Sequence, residues 1–311
     1  MIRILVLGAA AGGGFPQWNS NSEACRRARS GDPTAPPATQ ASVAISADGK
    51  RWFLVNAAPD LREQMNRQPQ LHPREGLRSS PVAGVVLTNG DVDAVAGLLT
   101  MRERTPFVTY AHPRILEVLD DNPIFRVLAP DVVRRQPFQL DEKLVLRDTS
   151  DNDCGLRVTP FAVKGKVALY MEEDGKGAGF GTQEGDTIGL EFTDAGGATR
   201  VLHVANCAAV SDDLRARCEG AALLFFDGTL WRDDEMMASG EGKKTGQRMG
   251  HISMSGDEGS ISSLSGLTLG RKVFIHINNT NPVLLADSVE RRELEAAGWE
   301  VGFDGMEITL P

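Results

Sequence analysis

One stretch, residues 85–99, restricts the fold more than any other. Val85-Val86-Leu87 is an apolar run rich in β-branched residues, which predicts a fully buried strand of about five residues. Asn89-Gly90 breaks that run and is a strong turn signal. Val92, Val95, Ala96 and Leu99 then recur at helical spacing, with Asp91 and Asp93 at the helix mouth. Two carboxylates therefore stand at the C-terminal end of a buried strand, where open sheets place their ligands. Carboxylates this close repel unless a cation sits between them or one takes a proton, and a metal ion is the economical solution. Capping accounts for them as well: Asp91 as N-cap, Asp93 drawn to the positive end of the helix. These residues alone leave both readings open.

A chain of 311 residues can bury a large core, as one big α/β unit or as two domains. No low-complexity linker divides it, so a single domain over residues 1–311 is expected. The net charge of −9 argues against electrostatic binding of nucleic acid, which needs clustered Lys and Arg; no basic stripe is present. The opening Met1-Ile2-Arg3-Ile4-Leu5-Val6-Leu7-Gly8 is too short for the apolar core of a signal peptide and lacks a cleavage pattern. No apolar run approaches the roughly 18 residues of a membrane span. A soluble, cytoplasmic protein is the expectation. Cys25, Cys154, Cys207 and Cys218 lack paired spacing, as free thiols in a reducing compartment do.

Residues 2–7 read as a strand ending in Gly8-Ala9-Ala10-Ala11-Gly12-Gly13-Gly14. The GxGxxG spacing of a dinucleotide site is not met; backbone crowding at the floor of a site, where only Gly fits, is the better account. Residues 41–45 and 51–56 predict a hairpin around Asp48-Gly49, and residues 61–67 a helix. A strand at 107–110 and a helix opened by His112-Pro113 follow the central stretch. Residues 172–185 are glycine-rich and charged, which predicts a mobile loop. A second hairpin joins 188–192 to 200–205. Buried strands then end at Asp227 and at His276, and a helix over 288–297 precedes a closing strand pair at 301–303 and 306–310. Two runs of strands with helices between them suggest two sheets with helices outside.

Three buried strands thus end in residues that do not belong in a core: Asp91 with Asp93, Asp227, and His276. Gly250-His251 adds a second imidazole in a Gly/Ser-rich loop. Carboxylate plus imidazole is the ligand set of zinc or non-haem iron.

The segment Thr88-Asn89-Gly90-Asp91-Val92-Asp93-Ala94-Val95-Ala96-Gly97-Leu98 resembles the metallo-β-lactamase signature T-H-x-H-x-D-H-x-x-G-L with several ligands replaced. Asp227, Gly250-His251 and His276 fall in the order that RNase Z-like members use for a bridging acid, a catalytic His and a last metal His. More closely, nearly the whole chain resembles the coenzyme PQQ synthesis protein B family. The matching pieces are residues 10–19, Leu71-His72-Pro73-Arg74-Glu75-Gly76-Leu77-Arg78, Thr88 to Asp93, Phe226-Asp227-Gly228-Thr229, Arg248-Met249-Gly250-His251 and residues 276–282. The resemblance implies a four-layer α/β/β/α metallo-β-lactamase-like sandwich of two mixed sheets with helices outside. It implies a role in making pyrroloquinoline quinone (PQQ), as an Fe(II)- and O2-dependent hydroxylase of the tyrosine ring in a Glu–Tyr-derived precursor. The alternative it implies is a carrier that moves PQQ or its precursor to the periplasm.

On this reading Asp93, His276 and Asp91 are the metal ligands, with iron favoured over zinc. His251 and Asp227 carry acid–base work. Arg74 and Arg78 hold a substrate carboxylate with their guanidinium forks, and Asn279 lines the substrate or steadies His276. The expected partners are the Glu–Tyr-derived precursor or PQQ, other proteins of the pathway and a second copy of the chain. Two positions depart from the family. Ser20 and Ser22 stand where relatives carry Cys, so a structural zinc at the N-terminus is not expected. Ala94 stands where relatives carry a ligand His, which weakens the iron site. A two-metal hydrolase is disfavoured, because it needs histidines where Asn89, Asp91 and Ala94 stand.

Overall fold

The computed structural model describes residues 1–173, 179 and 181–311. Fourteen strands among the described residues form two seven-stranded sheets. The first runs in the order β14 (Glu307–Leu310), β1 (Ile2–Gly8), β2 (Ser42–Ser46), β3 (Trp52–Val55), β4 (Val82–Val86), β5 (Phe107–Ala111), β6 (Val133–Pro137). The second runs β13 (Glu300–Val301), β12 (Arg271–Ile275), β11 (Leu223–Asp227), β10 (Arg200–Val204), β9 (Ile188–Asp194), β8 (Asp153–Ala162), β7 (Leu144–Arg147). Both sheets are mixed. β3 to β6 pair in parallel, as do β10 to β13, while the remaining neighbours are antiparallel.

Hydropathy explains the layering. Every residue of β4 and β11 is buried, as expected of parallel strands covered on both faces. β8 alternates buried and half-buried positions, the pattern of a strand with one face on a core. Ile4, Val43, Ile45 and Val55 of the first sheet meet Phe192, Val201, His203 and Phe225 of the second in the layer between the sheets. Outside, Leu61, Ile115 and Leu119 cover the first sheet from its helices. Cys25, Leu214, Cys218 and Leu294 do the same for the second. The expected α/β/β/α sandwich is the observed one.

Both expected hairpins form, with β2 antiparallel to β3 and β9 antiparallel to β10. The helix at Leu61–Arg67 and the His112-capped helix Pro113–Asp121 also lie where the pattern placed them. Two expectations fail. The helix over 92–99 is α-helical only at Val92–Val95 and continues as a 3-10 turn at Ala96–Met101. The backbone of residue 57 competes for its bonds: Ala57 N–H donates to the Ala94 carbonyl (2.7 Å) and Gly97 N–H to the Ala57 carbonyl (2.8 Å). The closing strands do not pair with each other. β13 joins β12 and β14 joins β1, so the chain crosses from one sheet to the other over Gly302 to Met306. The glycine-rich loop of residues 172–185 lies partly outside the described residues. Among the described residues, no helix is long and apolar enough to cross a membrane.

The crossing of Gly97 against residues 57 and 58 locks β3 to the metal-motif segment. A Cβ at Gly97 would lie 2.2 Å from the Ala58 carbonyl oxygen and 2.7 Å from that of Ala57, and neither can yield without moving backbone. Gly97→Ala is therefore expected to cost about 1–3 kcal/mol, the usual range for overpacking. A drop of several degrees in Tm by differential scanning calorimetry would show it; an unchanged Tm would contradict this packing.

Candidate metal centre

A cavity of about 760 Å³ opens where the C-terminal ends of the parallel strands of both sheets converge. The two sheets are stitched together at its floor. Ile277 N–H donates to the Ala9 carbonyl (2.9 Å), Ala11 N–H to the Ile277 carbonyl (2.8 Å), and Ile188 N–H to the Thr88 carbonyl (2.9 Å). The glycine-rich segment serves this floor in different ways. A Cβ at Gly8 would fall 2.3 Å from the Gln40 carbonyl oxygen, and Gly13 adopts a φ of +92° that L side chains avoid. Gly12, by contrast, has ordinary room: a Cβ there would sit 3.8 Å from Asp93 Oδ2. Crowding therefore explains Gly8, whereas Gly12 simply leaves the wall beside Asp93 open.

Asp91 and Asp93 enter from the first sheet. Asp91 occupies the N-cap of the Val92–Val95 turn, yet its side chain makes no capping bond. Capping therefore does not explain it. Its own N–H donates to Asn89 Oδ1 (2.9 Å), and Asn89 Nδ2 reaches across to Asn206 Oδ1 (2.9 Å) at the end of β10. Burial, followed by the neighbouring Asp93 carboxylate, pushes the Asp91 carboxyl up to about 6. For Asp93 burial works in the same direction, but the hydrogen bond and charge of His276 outweigh it and hold the carboxyl below its ordinary value.

His276 and Asp227 enter from the second sheet. His276 follows β12 directly and takes φ +59°, a left-handed conformation uncommon for a non-glycine residue and found where structure imposes it. Its Nε2 lies 2.9 Å from Asp93 Oδ2, a contact between residues 183 positions apart. Burial disfavours the imidazolium, yet Asp93, Asp227 and Asp91 together raise its pKa above the ordinary value. Asp227 ends β11 and is wholly buried; its Oδ2 lies 2.6 Å from His251 Nδ1. The rings of His251 and His276 stack with centroids 5.2 Å apart. Asp227, His251 and His276 offer ligand atoms within 4.8 Å of one another, and Asp93 stands on the far side of His276.

These residues fit a divalent ion. Two donor atoms each about 2.0–2.2 Å from one ion stand roughly 2.9–3.5 Å apart at right-angled to tetrahedral geometry. The Asp93–His276 separation of 2.9 Å lies in that range. Ala94 is buried beside a second, small cavity of about 10 Å³, lined also by Asp93, His276, His203 and Asn206. His203 itself belongs to the core between the sheets: burial drops its pKa to about 4, and its ring packs on Phe225.

Other expected site residues are placed differently. Arg74 and Arg78 do not line the cavity. Arg74 donates to the Gln70 carbonyl (3.0 Å), and Arg78 is exposed and faces Glu103 at 3.6 Å. Asn279 does line the cavity, with Nδ2 donating to Glu241 (2.8 Å). Ser22 caps the helix Glu23–Arg29 by accepting from Cys25 N–H, and Ser20 donates to Ser22 Oγ (3.1 Å). Several cavity residues had not been singled out. Thr229 lies between both histidines and Asp227, Asn206 sits just beyond a strand end like the residues that were found, and Lys166 and Lys244 line the cavity. Tyr170 follows the cavity residue Leu169 and lies near Asp91, its hydroxyl donating to the Gly90 carbonyl (2.7 Å). Glu235 holds the loop after His276 by accepting from Thr280 Oγ1 (2.7 Å) and from Trp231 N–H (2.7 Å).

The family of the chain follows from this geometry and from its relatives. Residues 51–277 match the Beta-lactamase superfamily domain. Coenzyme PQQ synthesis protein B of Gluconacetobacter diazotrophicus is 57% identical over 309 residues, covering 99% of this chain and 100% of the relative. The zinc-bound PqqB of Methylobacterium extorquens superposes with a TM-score of 0.93 at 50% identity, covering 99% and 100% of the two chains. The chain belongs to the coenzyme PQQ synthesis protein B family. A diphosphatase of the PhnP family shares the fold alone, with a TM-score of 0.69 at 20% identity over 99% of this chain and 96% of that one.

Glu235 supplies a pH test of the loop beside His276. Burial raises its carboxyl to about 7, against the donors that favour its charge. The folded chain thus holds this proton more tightly than the unfolded chain. Its stabilising contribution is complete below the ordinary carboxyl range and is lost as pH rises through about 7. Between about pH 5 and pH 8, wild-type stability should fall relative to Glu235→Gln by up to about 3 kcal/mol. Denaturant melts of both proteins at the two pH values would measure it; parallel pH profiles would contradict the assignment.

Proposed function

We propose that this chain serves PQQ biosynthesis as a metal-dependent hydroxylase acting on the tyrosine ring of a Glu–Tyr-derived precursor. One observation carries the reading: a buried imidazole and a carboxylate from opposite sheets, 2.9 Å apart on the wall of a 760 Å³ cavity. His276, Asp93 and Asp91 would hold the ion, iron(II) for this chemistry. The zinc-bound relative supports an ion on this fold, and imidazole with carboxylate suits either metal. When bound, the ion supplies open coordination positions for dioxygen and for the phenol.

The rest of the chemistry falls to the chain itself. His251, oriented by Asp227, presents its second ring nitrogen for holding or moving a proton. Lys244 lines the cavity and makes no ion pair among the described residues, so it is the cation open to a substrate carboxylate, the part expected of Arg74 and Arg78. Lys166 is paired with Glu172.

Ala94 favours a second reading, a carrier that binds PQQ or its precursor without turnover, because it removes an imidazole from the ligand set. Anaerobic calorimetric titration with iron(II) and with zinc separates the two. Near-stoichiometric binding that Asp93→Ala abolishes, with oxygen uptake when a Glu–Tyr substrate is added, is the expected outcome. Absence of metal binding at micromolar levels, with tight anaerobic binding of PQQ, would establish the carrier instead.

A further inference from the structure

Asp227, His251 and His276 lie close enough to share an ion, but the hydrogen bonds of Asp227 leave it no vacant lone pair. A carboxylate offers about four lone-pair sites. Here Oδ2 accepts from Cys207 N–H (2.8 Å) and faces His251 Nδ1 at 2.6 Å. Oδ1 accepts from Thr229 N–H (3.0 Å) and from Thr229 Oγ1 (2.7 Å). An ion bound at Asp227 would have to displace one of these four donors from a wholly buried group.

The protons follow from the same contacts. Thr229 Oγ1 has one hydrogen and two lone pairs. Two acceptors face it, the Asp227 carboxylate at 2.7 Å and the His276 carbonyl at 3.1 Å; the charged and nearer one takes the hydrogen, since two bare oxygens cannot face each other at 2.7 Å. The hydroxyl hydrogen is therefore committed to Asp227, and Thr229 Oγ1 must accept from His276 Nδ1, 2.9 Å away. His276 then carries a proton on Nδ1; without metal a second proton, on Nε2, is donated to Asp93 Oδ2 at 2.9 Å, and a bound ion would take that proton's place.

We infer that Asp227 is not a metal ligand but, through the Thr229 hydroxyl, fixes the tautomer and ring orientation of His276, which makes Thr229 a positioning residue of this centre. The chain Asp227–Thr229–His276–Asp93 thus links the buried anchor in the second sheet to the carboxylate of the first. Neutral imidazole ligands usually donate their other N–H to a carboxylate, carbonyl or water. Here a threonine hydroxyl receives that N–H and passes the interaction on to a carboxylate. This inference rests on the preceding reading of His276 and Asp93 as the holders of the ion.

Zinc alone is the probe for the first test. Thr229→Val is expected to weaken zinc binding by about 10–100-fold in calorimetry, the range for groups supporting a ligand. Thr229→Ser should restore it, and anomalous diffraction from zinc-soaked crystals should place the ion on His276 Nε2, with Asp227 outside ligand distance. Wild-type affinity in Thr229→Val, or an Asp227 oxygen bonded to zinc, would overturn the inference. A metal-free measurement keeps it separable from the metal reading. In ¹⁵N-histidine spectra of apo Asp93→Ala protein in mildly alkaline solution, where no Asp93 carboxylate holds a proton on Nε2, His276 Nδ1 should stay protonated with Thr229 intact or with Thr229→Ser, and lose its proton with Thr229→Val. A bare Nδ1 in Asp93→Ala with Thr229 intact defeats the Thr229 relay whatever the zinc result. Zinc affinity untouched by Asp93→Ala, with Nδ1 still protonated, defeats only the choice of metal ligands.

Discussion

A buried imidazole beside a half-buried carboxylate cannot be a neutral bystander of folding. Removing either charge from water is expensive, and only close pairing with further hydrogen bonds offsets that cost. In this chain Asp93 comes from the first sheet and His276 from the second, so the pair forms only when both sheets are in place. The surrounding features follow from that demand. The left-handed backbone at His276 directs the ring out of the strand and toward Asp93. Ile277 is pinned by Ala9 and Ala11, which fixes the strand end at the depth where Nε2 meets Asp93. The absence of a side chain at Gly12 leaves the opposite wall free.

Support beyond that pair is unevenly distributed. His276 and His251 are steadied by buried groups: Thr229, Asp227 and the backbone N–H of Cys207. Asp91 has a weaker anchor for its carboxyl, a backbone donor at Leu169, and burial and Asp93 outweigh it and drive the group toward protonation. The imidazole side of the centre is therefore rigid and prepared, while the acidic side stores repulsion that a cation would relieve. Such an imbalance is characteristic of a site rather than of a packed core, where both members of a pair would be satisfied internally.

Much of this was legible in the sequence, for a clear reason. Asp91, Asp93, Asp227 and His276 each close a strongly apolar strand, and a polar residue in that position either caps something or faces a site. Asn206 carries the same signature and was overlooked only because Ala205 separates it from its strand. Thr229 sits in the Phe226-Asp227-Gly228-Thr229 motif, but its place between two imidazoles depends on His251 and His276 arriving from 22 and 47 residues away, which no local pattern records. Arg74 and Arg78 failed because guanidinium chemistry says what an arginine can hold, not where its side chain points. The 92–99 helix broke early because its carbonyl at Ala94 is claimed by Ala57, a backbone competitor invisible to periodicity. Lys244 was missed because a lone lysine in a charged segment looks like any solvated one.

The same contacts bear on how many ions the fold can hold. Two-metal members of the superfamily signature place imidazoles where this chain has Asn89, Asp91 and Ala94. The structure goes further than the substitutions do. Asn89 is occupied with Asn206 across the gap between the sheets, Asp227 is surrounded by four donors, and the space beside Ala94 amounts to about 10 Å³, room for roughly one water. What remains facing the large cavity is Nε2 of His276, the second ring nitrogen of His251 and two carboxylates, whose combined charge would match a single divalent cation and leave positions on it for exogenous ligands. A hydrolase that clamps both attacking and leaving oxygens needs a second ion. On the proposed reading, the hydrogen bonds that close Asn89, Asn206 and Asp227 would remove the donors that ion needs. A preference for one ion over two would then rest on amide–amide and threonine–carboxylate bonds rather than on the ligands themselves.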